Sequence, residues 1–172
     1  NMAAKLLFKI AVNELDLGGA YDAKYGSEKK GTPTDVSLRL CDPGVPVRTS
    51  GPTNAPHILA IFRAGLMEAL QLTNGLQANA TVIVNTTESP DVIREKLRLN
   101  SGTIICVDAE HIAEESGSRL NMPMMALIAR SIGIPSDVVA DIVAKQWPFV
   151  KDANLSAFNA AYDAIVEKTF EA

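Results

Sequence analysis

The stretch TIICVD at residues 103–108 indicates the fold class of this chain, together with HILAIF at 57–62 and TVIVN at 81–85. Each is a short apolar run without alternation of polar and apolar residues, which is typical of strands buried on both faces of a parallel sheet. Helical patterns lie between them, at residues 63–72 and 91–99. Alternation of strands with helices predicts an α/β fold whose three strands are adjacent and mainly parallel.

The segments on either side complete this architecture. Apolar residues at helical spacing predict an amphipathic helix over residues 2–15. Residues 34–40 alternate apolar with polar side chains, and Asp42-Pro43-Gly44 then turns the chain towards residues 45–48, which predicts a hairpin with one solvated face. Further helices are predicted at residues 110–116, 122–132, 136–145 and 155–170. The predicted fold class is therefore α/β, a three-layer α/β/α sandwich with a mainly parallel sheet, a hairpin and a helical C-terminal third.

Two serines are candidate helix N-caps. Ser89 precedes Pro90, which suits the first position of a helix, and Ser136 follows Gly133 and Pro135.

The length of 172 residues predicts one domain over residues 1–172.

Composition and charge restrict the class of protein. The net charge of −4 argues against a general nucleic-acid binder, because such proteins usually carry an excess of Lys and Arg on one face. The most apolar stretch, residues 122–134, is interrupted by Arg130 and is shorter than the roughly 20 residues that a membrane-spanning helix requires. We therefore expect a soluble cytoplasmic protein whose partners are small molecules or other proteins.

The residues that could carry catalysis or bind a metal are isolated in the sequence. Cys41 and Cys106 each lie inside an apparent strand and outside any CxxC spacing, which predicts buried, unpaired, metal-free thiols. His57 and His111 have no second ligand at metal-binding spacing nearby. The serines lack the GxSxG context of a hydrolase nucleophile. The sequence predicts neither a metal site nor a catalytic residue in this chain.

A glycine-flanked charged segment, YGSEKKG at residues 25–31, is the strongest local signal. Gly26 and Gly31 permit backbone angles that other residues avoid, and Glu28, Lys29 and Lys30 offer charges to a partner or to a phosphate. The alternative interpretation is a mobile surface loop before a strand. Composition alone does not separate these interpretations.

Four stretches in the same order resemble the gamma subunit, or gamma domain, of 2-oxoacid:ferredoxin (acceptor) oxidoreductases, the pyruvate, ketoisovalerate and 2-oxoglutarate oxidoreductase family. The segment that begins at Tyr25 is similar to the family's YGxExRGG loop, with Lys30 in place of the usual Arg and Thr32 in place of the second Gly. The other three stretches are GLQANATVIVNT at residues 75–86, VDAEHIAEESGSRLNMPMMALIARSIGI at 107–134 and NLSAFNAAYD at 154–163. A strand and a GxGGQG turn that precede the first helix in the family are absent from this sequence as given.

The resemblance implies a component of an enzyme that oxidatively decarboxylates a 2-oxoacid to an acyl-CoA. It implies thiamine diphosphate, iron-sulfur clusters and coenzyme A on the complex, with no cofactor bound by this chain. The implied partners are the alpha, beta and, as an optional component, delta subunits, with ferredoxin or another acceptor served indirectly. The resemblance makes Tyr25, Gly26, Glu28, Lys29, Lys30 and Gly31 the candidate contacts with a partner subunit or with coenzyme A, and it implies that the chain is inactive alone.

Two other classes of function remain open at this stage. One is a free-standing α/β domain that binds a small molecule, for which a convergent polar pocket and a monomer are expected. The other is a purely structural subunit. The subunits that purify with the chain would separate these from the oxidoreductase component.

Overall fold

The computed structural model describes residues 1–25, 33–49 and 51–171. The chain forms two compact units, Asn1–Thr53 and Asn54–Ala172. Each unit has its own secondary structure and is considered by itself. The expectation of a single domain over the whole chain stays a prediction.

The first unit is one helix with a two-stranded antiparallel sheet. Helix α1 (Met2–Asn13) buries Leu7 and Ile10 on its apolar face. Strand β1 (Gly18–Tyr25) pairs with β2 (Thr34–Cys41), and the register runs from Gly18 opposite Cys41 to Tyr25 opposite Thr34. The described part of the strand pair therefore ends at Tyr25 and Thr34.

The predicted hairpin is present, but the predicted partner strand was wrong. Residues 45–48 form no strand, and β2 pairs with β1 instead. The Asp42–Val45 turn closes with a bond from the Val45 amide to the Asp42 carbonyl, yet the carbonyl of Val45 then lies against Gly18. A Cβ atom at Gly18 would lie only 2.4 Å from that oxygen, so the close approach requires glycine there.

The second unit contains a four-stranded mixed sheet and six helices among its described residues. Its elements are β3 (Ile58–Ile61), α2 (Leu66–Ala69), β4 (Thr81–Asn85), α3 (Pro90–Leu97), β5 (Gly102–Val107), α4 (Ala109–Glu115), α5 (Asn121–Ser131), α6 (Ser136–Gln146), the short 3₁₀ turn Pro148–Val150, α7 (Lys151–Asp163) and β6 (Val166–Phe170). The strand order is β3-β4-β5-β6, with β3, β4 and β5 parallel and β6 antiparallel to β5. The prediction of three adjacent parallel strands is confirmed.

Helices cover both faces of this sheet. On one face, Val82 and Val84 of β4 pack in a core cluster with Ile93 and Leu97 of α3. Ile83 points to the opposite face because side chains alternate along a strand, and it is fully buried there. Helix α5 contacts β3 and β4, and all three of its methionines are buried. The three-layer α/β/α arrangement is confirmed for this unit.

The C-terminal helix is shorter than predicted. Helix α7 ends at Asp163, and Val166–Phe170 forms the edge strand β6 in place of the last helical turns. Phe170 is the buried residue of this strand and packs in the same core cluster as Val82 and Ile93. The prediction of helix to residue 170 was wrong because burial of a single aromatic side chain, together with pairing along β5, outweighs the local pattern.

The predicted helix boundaries were correct at one serine and wrong at the other. The Ser89 side chain accepts a hydrogen bond from the Val92 amide, and Pro90 is the first residue of α3. Ser136 makes no such bond, because Pro135 occupies the N-cap position of α6. Helix α2 is four residues long, not the ten predicted, since the backbone is already extended at Leu70.

Membrane insertion through a helix has no support in the described part of the chain. None of its helices combines the length and the apolar character that crossing a bilayer demands.

Candidate functional site

The exposed end of the hairpin is the described part of the predicted contact segment. Tyr25 is the last residue of β1, and 63% of its surface is exposed. It lies on the same face of the strand as Tyr21, whose ring is 6.1 Å from that of Phe8 on α1. The hairpin end therefore presents one exposed tyrosine beside one that packs on the helix.

Asn1 joins the two tyrosines at the beginning of α1. The Tyr21 hydroxyl donates to the Asn1 side-chain oxygen, and the Asn1 side-chain amide donates to the Tyr25 hydroxyl. Desolvation, and secondarily the nearby Tyr25 and Asp22, raise the pKa of Tyr21. Its hydroxyl therefore stays protonated at neutral pH and remains the donor in this chain of bonds.

The other candidate contact residues lie outside the described residues. These are Gly26, Glu28, Lys29, Lys30 and Gly31. The structure places Tyr25, the residue before them, next to the N-terminal end of α1. Their role in binding a partner or coenzyme A stays a prediction.

A second polar group lies at the carboxyl ends of the parallel strands, the edge where open α/β sheets bind ligands. Asn85 ends β4 and is 8% exposed. Its side-chain nitrogen donates to the Phe62 carbonyl at 3.1 Å, and its side-chain oxygen accepts from the Ala109 amide at 3.0 Å. Asn85 thus ties the ends of β3 and β4 to the beginning of α4, and both polar atoms of its side chain are engaged within the protein.

Asp108 follows β5 at the same edge. Its carboxylate accepts a hydrogen bond from the His111 amide at 3.0 Å and so caps α4. The His111 ring lies 3.3 Å from the Glu115 carboxylate, and both side chains are largely exposed. Asp108 acts as a cap and His111 belongs to a solvated pair, so this edge is organised by structural bonds.

The two thiols differ in their surroundings. Cys106 is buried in β5, and desolvation, with a smaller effect of Glu88, raises its pKa to about 11. It is therefore a protonated thiol at neutral pH and a poor nucleophile. Cys41 is only half-buried, which corrects the expectation of burial, and its sulfur donates to the Val45 carbonyl at 3.1 Å. Both are free cysteines, as predicted.

The side chains of the described residues form no cluster of three or more His, Cys, Asp or Glu that could hold a metal ion. Asn85 and Asp108, which organise the carboxyl edge of the sheet, were not among the residues predicted from the sequence. Both could have been identified from the sequence, because each is a polar residue at the carboxyl end of a buried apolar run.

The fold thus comprises a helix with a two-stranded antiparallel sheet in the first unit and an α/β sheet in the second, and the buried Cys106 thiol is a poor nucleophile. The model of the family described as pyruvate ferredoxin/flavodoxin oxidoreductase matches residues 1–164. The chain belongs to this family. The resemblance drawn from the four sequence stretches is thereby confirmed.

Relatives with described functions agree with this membership. The pyruvate/ketoisovalerate oxidoreductases common subunit gamma of Thermococcus kodakarensis is 30% identical over 112 residues, which are 64% of this chain and 60% of that protein. The alignment thus spans less than two thirds of that relative. Pyruvate synthase subunit PorC of Methanothermobacter marburgensis is 26% identical over 165 residues, which are 94% of this chain and 88% of that one.

Solved structures share the fold. The crystal structure of pyruvate oxidoreductase subunit PORC from Thermotoga maritima matches with a TM-score of 0.81 and 25% identity, over 97% of this chain and 90% of that one. The 2-oxoglutarate:ferredoxin oxidoreductase of Magnetococcus marinus matches with a TM-score of 0.71 and 15% identity, over 28% of its chain. The second likeness concerns the fold alone, and it shows that the same fold occurs as one part of a longer polypeptide.

Proposed function

We propose that this chain is the gamma component of a 2-oxoacid:ferredoxin (acceptor) oxidoreductase complex that converts a 2-oxoacid to an acyl-CoA. The observation that carries the proposal is the match to the Thermotoga PORC subunit, which covers 97% of this chain and 90% of that one. Such coverage of a named subunit favours a component of an assembly over a free-standing small-molecule-binding domain.

In this proposal the chemistry takes place on other subunits. The chain packs on the thiamine-binding alpha and beta subunits, with delta as an optional partner, and it binds no thiamine diphosphate and no iron-sulfur cluster itself. The protonated state of the Cys106 thiol and the engagement of Asn85 and Asp108 in structural bonds support a non-catalytic role. The cytoplasm is the proposed compartment.

The experiment that tests this function begins with the tagged full chain purified from its native host. We expect alpha and beta subunits to co-purify, and the complex to reduce ferredoxin or a viologen dye when a 2-oxoacid and coenzyme A are supplied. The chain produced alone is expected to reduce neither acceptor. Activity of the isolated chain, after partner subunits have been excluded by mass spectrometry, would contradict the proposal. Purification of the native protein as a monomer would favour the free-standing domain.

The proposed contact segment has its own prediction. Replacing Lys29 and Lys30 with alanine is expected to leave the free energy of unfolding of the chain within about 1 kcal/mol, because in this proposal the two charges serve the complex and not the fold of the isolated chain. In the complex, loss of two charge-assisted contacts should weaken subunit binding or raise the KM for coenzyme A roughly tenfold or more. Sedimentation measures subunit binding, and steady-state kinetics measure the KM for coenzyme A.

A matched control removes two lysines elsewhere. Lys5 and Lys9 are exposed on α1, so the Lys5→Ala/Lys9→Ala variant has the same change of net charge. We expect this control to assemble normally and to keep its KM for coenzyme A. Normal assembly and normal coenzyme A dependence in the Lys29/Lys30 variant would show that the loop contacts neither.

A further inference from the structure

The face of the hairpin that points away from α1 is polar. Ser37, Arg39 and Cys41 alternate along β2 with the apolar residues that share the face of Tyr21. A short segment, residues 51–53, crosses this polar face, and we refer to it as the covering segment. The Arg39 guanidinium donates to the Pro52 carbonyl at 2.8 Å, and the Thr53 amide donates to the Ser37 hydroxyl oxygen at 3.0 Å.

Two polar atoms under the covering segment have no hydrogen-bond partner among the described residues. They are Nη1 of Arg39 and Oγ1 of Thr53, and both are inaccessible to solvent. An unpaired buried hydroxyl is costly, and an unpaired buried guanidinium nitrogen is more so because it carries charge. Asp22 lies opposite Ser37 in the register, yet no ion pair between described residues joins it to Arg39. Within the described part of the chain, the Arg39 guanidinium therefore forms no ion pair.

The arrangement of donors indicates what would satisfy these atoms. Nη1 of Arg39 can donate, the Thr53 hydroxyl can donate, and the Ser37 hydroxyl still has its own proton because its oxygen accepts from the Thr53 amide. Three donors with one positive charge match the oxygens of a phosphoryl group. A carboxylate offers only two oxygens to these three donors, so a phosphoryl group, with one more oxygen, matches them better.

We propose that Arg39, Thr53 and Ser37 form a phosphoryl-binding site beneath the covering segment. Because both unpaired atoms are enclosed, binding requires residues 51–53 to shift, and the phosphoryl oxygens then replace the Pro52 carbonyl as acceptors. Gly51 has a φ of +99° and would have space for a side chain around it. Its backbone freedom gives the covering segment a pivot at its beginning.

Titration of the full chain with inorganic phosphate, at constant ionic strength maintained with chloride, tests the site. We expect the melting temperature to rise by several degrees at saturation, and the backbone amide of Thr53 to shift in the NMR spectrum. Arg39→Gln should abolish both effects, and Thr53→Val should weaken binding several-fold. Asp22→Asn should tighten binding, because it removes a negative charge from the same face.

The matched control is Arg48→Gln, which removes an exposed guanidinium of the same unit and should leave phosphate binding unchanged. Circular dichroism of Arg39→Gln checks that the variant is folded, and Arg39→Lys, which keeps the charge but loses the planar fork, should bind with reduced affinity. Tighter binding of adenosine monophosphate than of phosphate would identify the occupant as part of a larger ligand, and the reverse order would identify free phosphate. The proposal is overturned if Arg39→Gln retains the thermal shift, if acetate binds as well as phosphate, or if phosphate has no effect.

Discussion

Replacement of Gly102 by alanine is expected to lower the free energy of unfolding by about 3 kcal/mol or more. Gly102 begins β5 with a φ of +114°, a conformation that L side chains rarely adopt. A Cβ atom there would lie 2.4 Å from the Ala80 carbonyl oxygen. That oxygen accepts the Thr103 amide at 3.0 Å, so it cannot retreat without breaking a bond at the start of the parallel sheet.

Denaturant unfolding of the full chain measures the effect, and Gly133→Ala is the matched control. Gly133 also has a positive φ, +77°, but a Cβ atom there would meet nothing within 4 Å. We expect the control to cost about 1 kcal/mol, since only the backbone preference is lost. If the two variants lost equal amounts of unfolding free energy, the close approach to Ala80 would not add to the cost of alanine at position 102.

The second large effect is expected at Asn85. Asn85→Ala leaves the Phe62 carbonyl and the Ala109 amide without their side-chain partner in a buried position, which should cost about 3 kcal/mol. Asn74 is exposed, and Asn74→Ala should change the free energy of unfolding by about 0.5 kcal/mol or less. A similar small change for Asn85→Ala would show that the bonds to β3 and α4 are not needed.

Asn85→Asp gives a pH-dependent version of the same test. An aspartate at this position faces the Phe62 carbonyl oxygen where the amide nitrogen donated. We expect burial and that oxygen to disfavour the charged form by more than the single bond from the Ala109 amide favours it. A carboxyl whose pKa is raised in the folded state loses stability as the pH rises above its unfolded value of about 4. We therefore expect the variant to be closest to the original chain near pH 4 and progressively less stable towards pH 7. If the stability difference between Asn85→Asp and the original chain did not change with pH, the carboxyl would not have the raised pKa expected at this position.

The core of the second unit was predictable because its signals are local. Continuous apolar runs at β3, β4 and β5 can be buried on both faces only in a helix-covered parallel sheet, and Ser89-Pro90 marks the start of α3 within two residues. The family could be recognised for a similar reason, since ordered short motifs survive where overall identity is about 30%.

The pairings between distant segments were not predictable from local pattern. Strand β1 begins with two glycines, its alternation is limited to residues 21–25, and it becomes an eight-residue strand because its backbone pairs with β2. Strand β6 pairs with β5 across more than sixty residues, as the Thr103 and Thr169 hydroxyls show by their contact at 2.9 Å. Such pairing energy depends on the partner's position, which propensity does not encode.

The sequence by itself determined the fold class, the three parallel strands and the membership of the oxidoreductase family. Only the tertiary structure decided which polar side chains form hydrogen bonds between distant elements and which polar atoms are left without a partner among the described residues. Asn85 acquires its role from the adjacency of β3, β4 and α4, and Arg39 acquires an unpaired nitrogen because residues 51–53 cross its strand. Hydrogen bonds and burial arise between groups far apart in sequence, so the residue types alone did not reveal them.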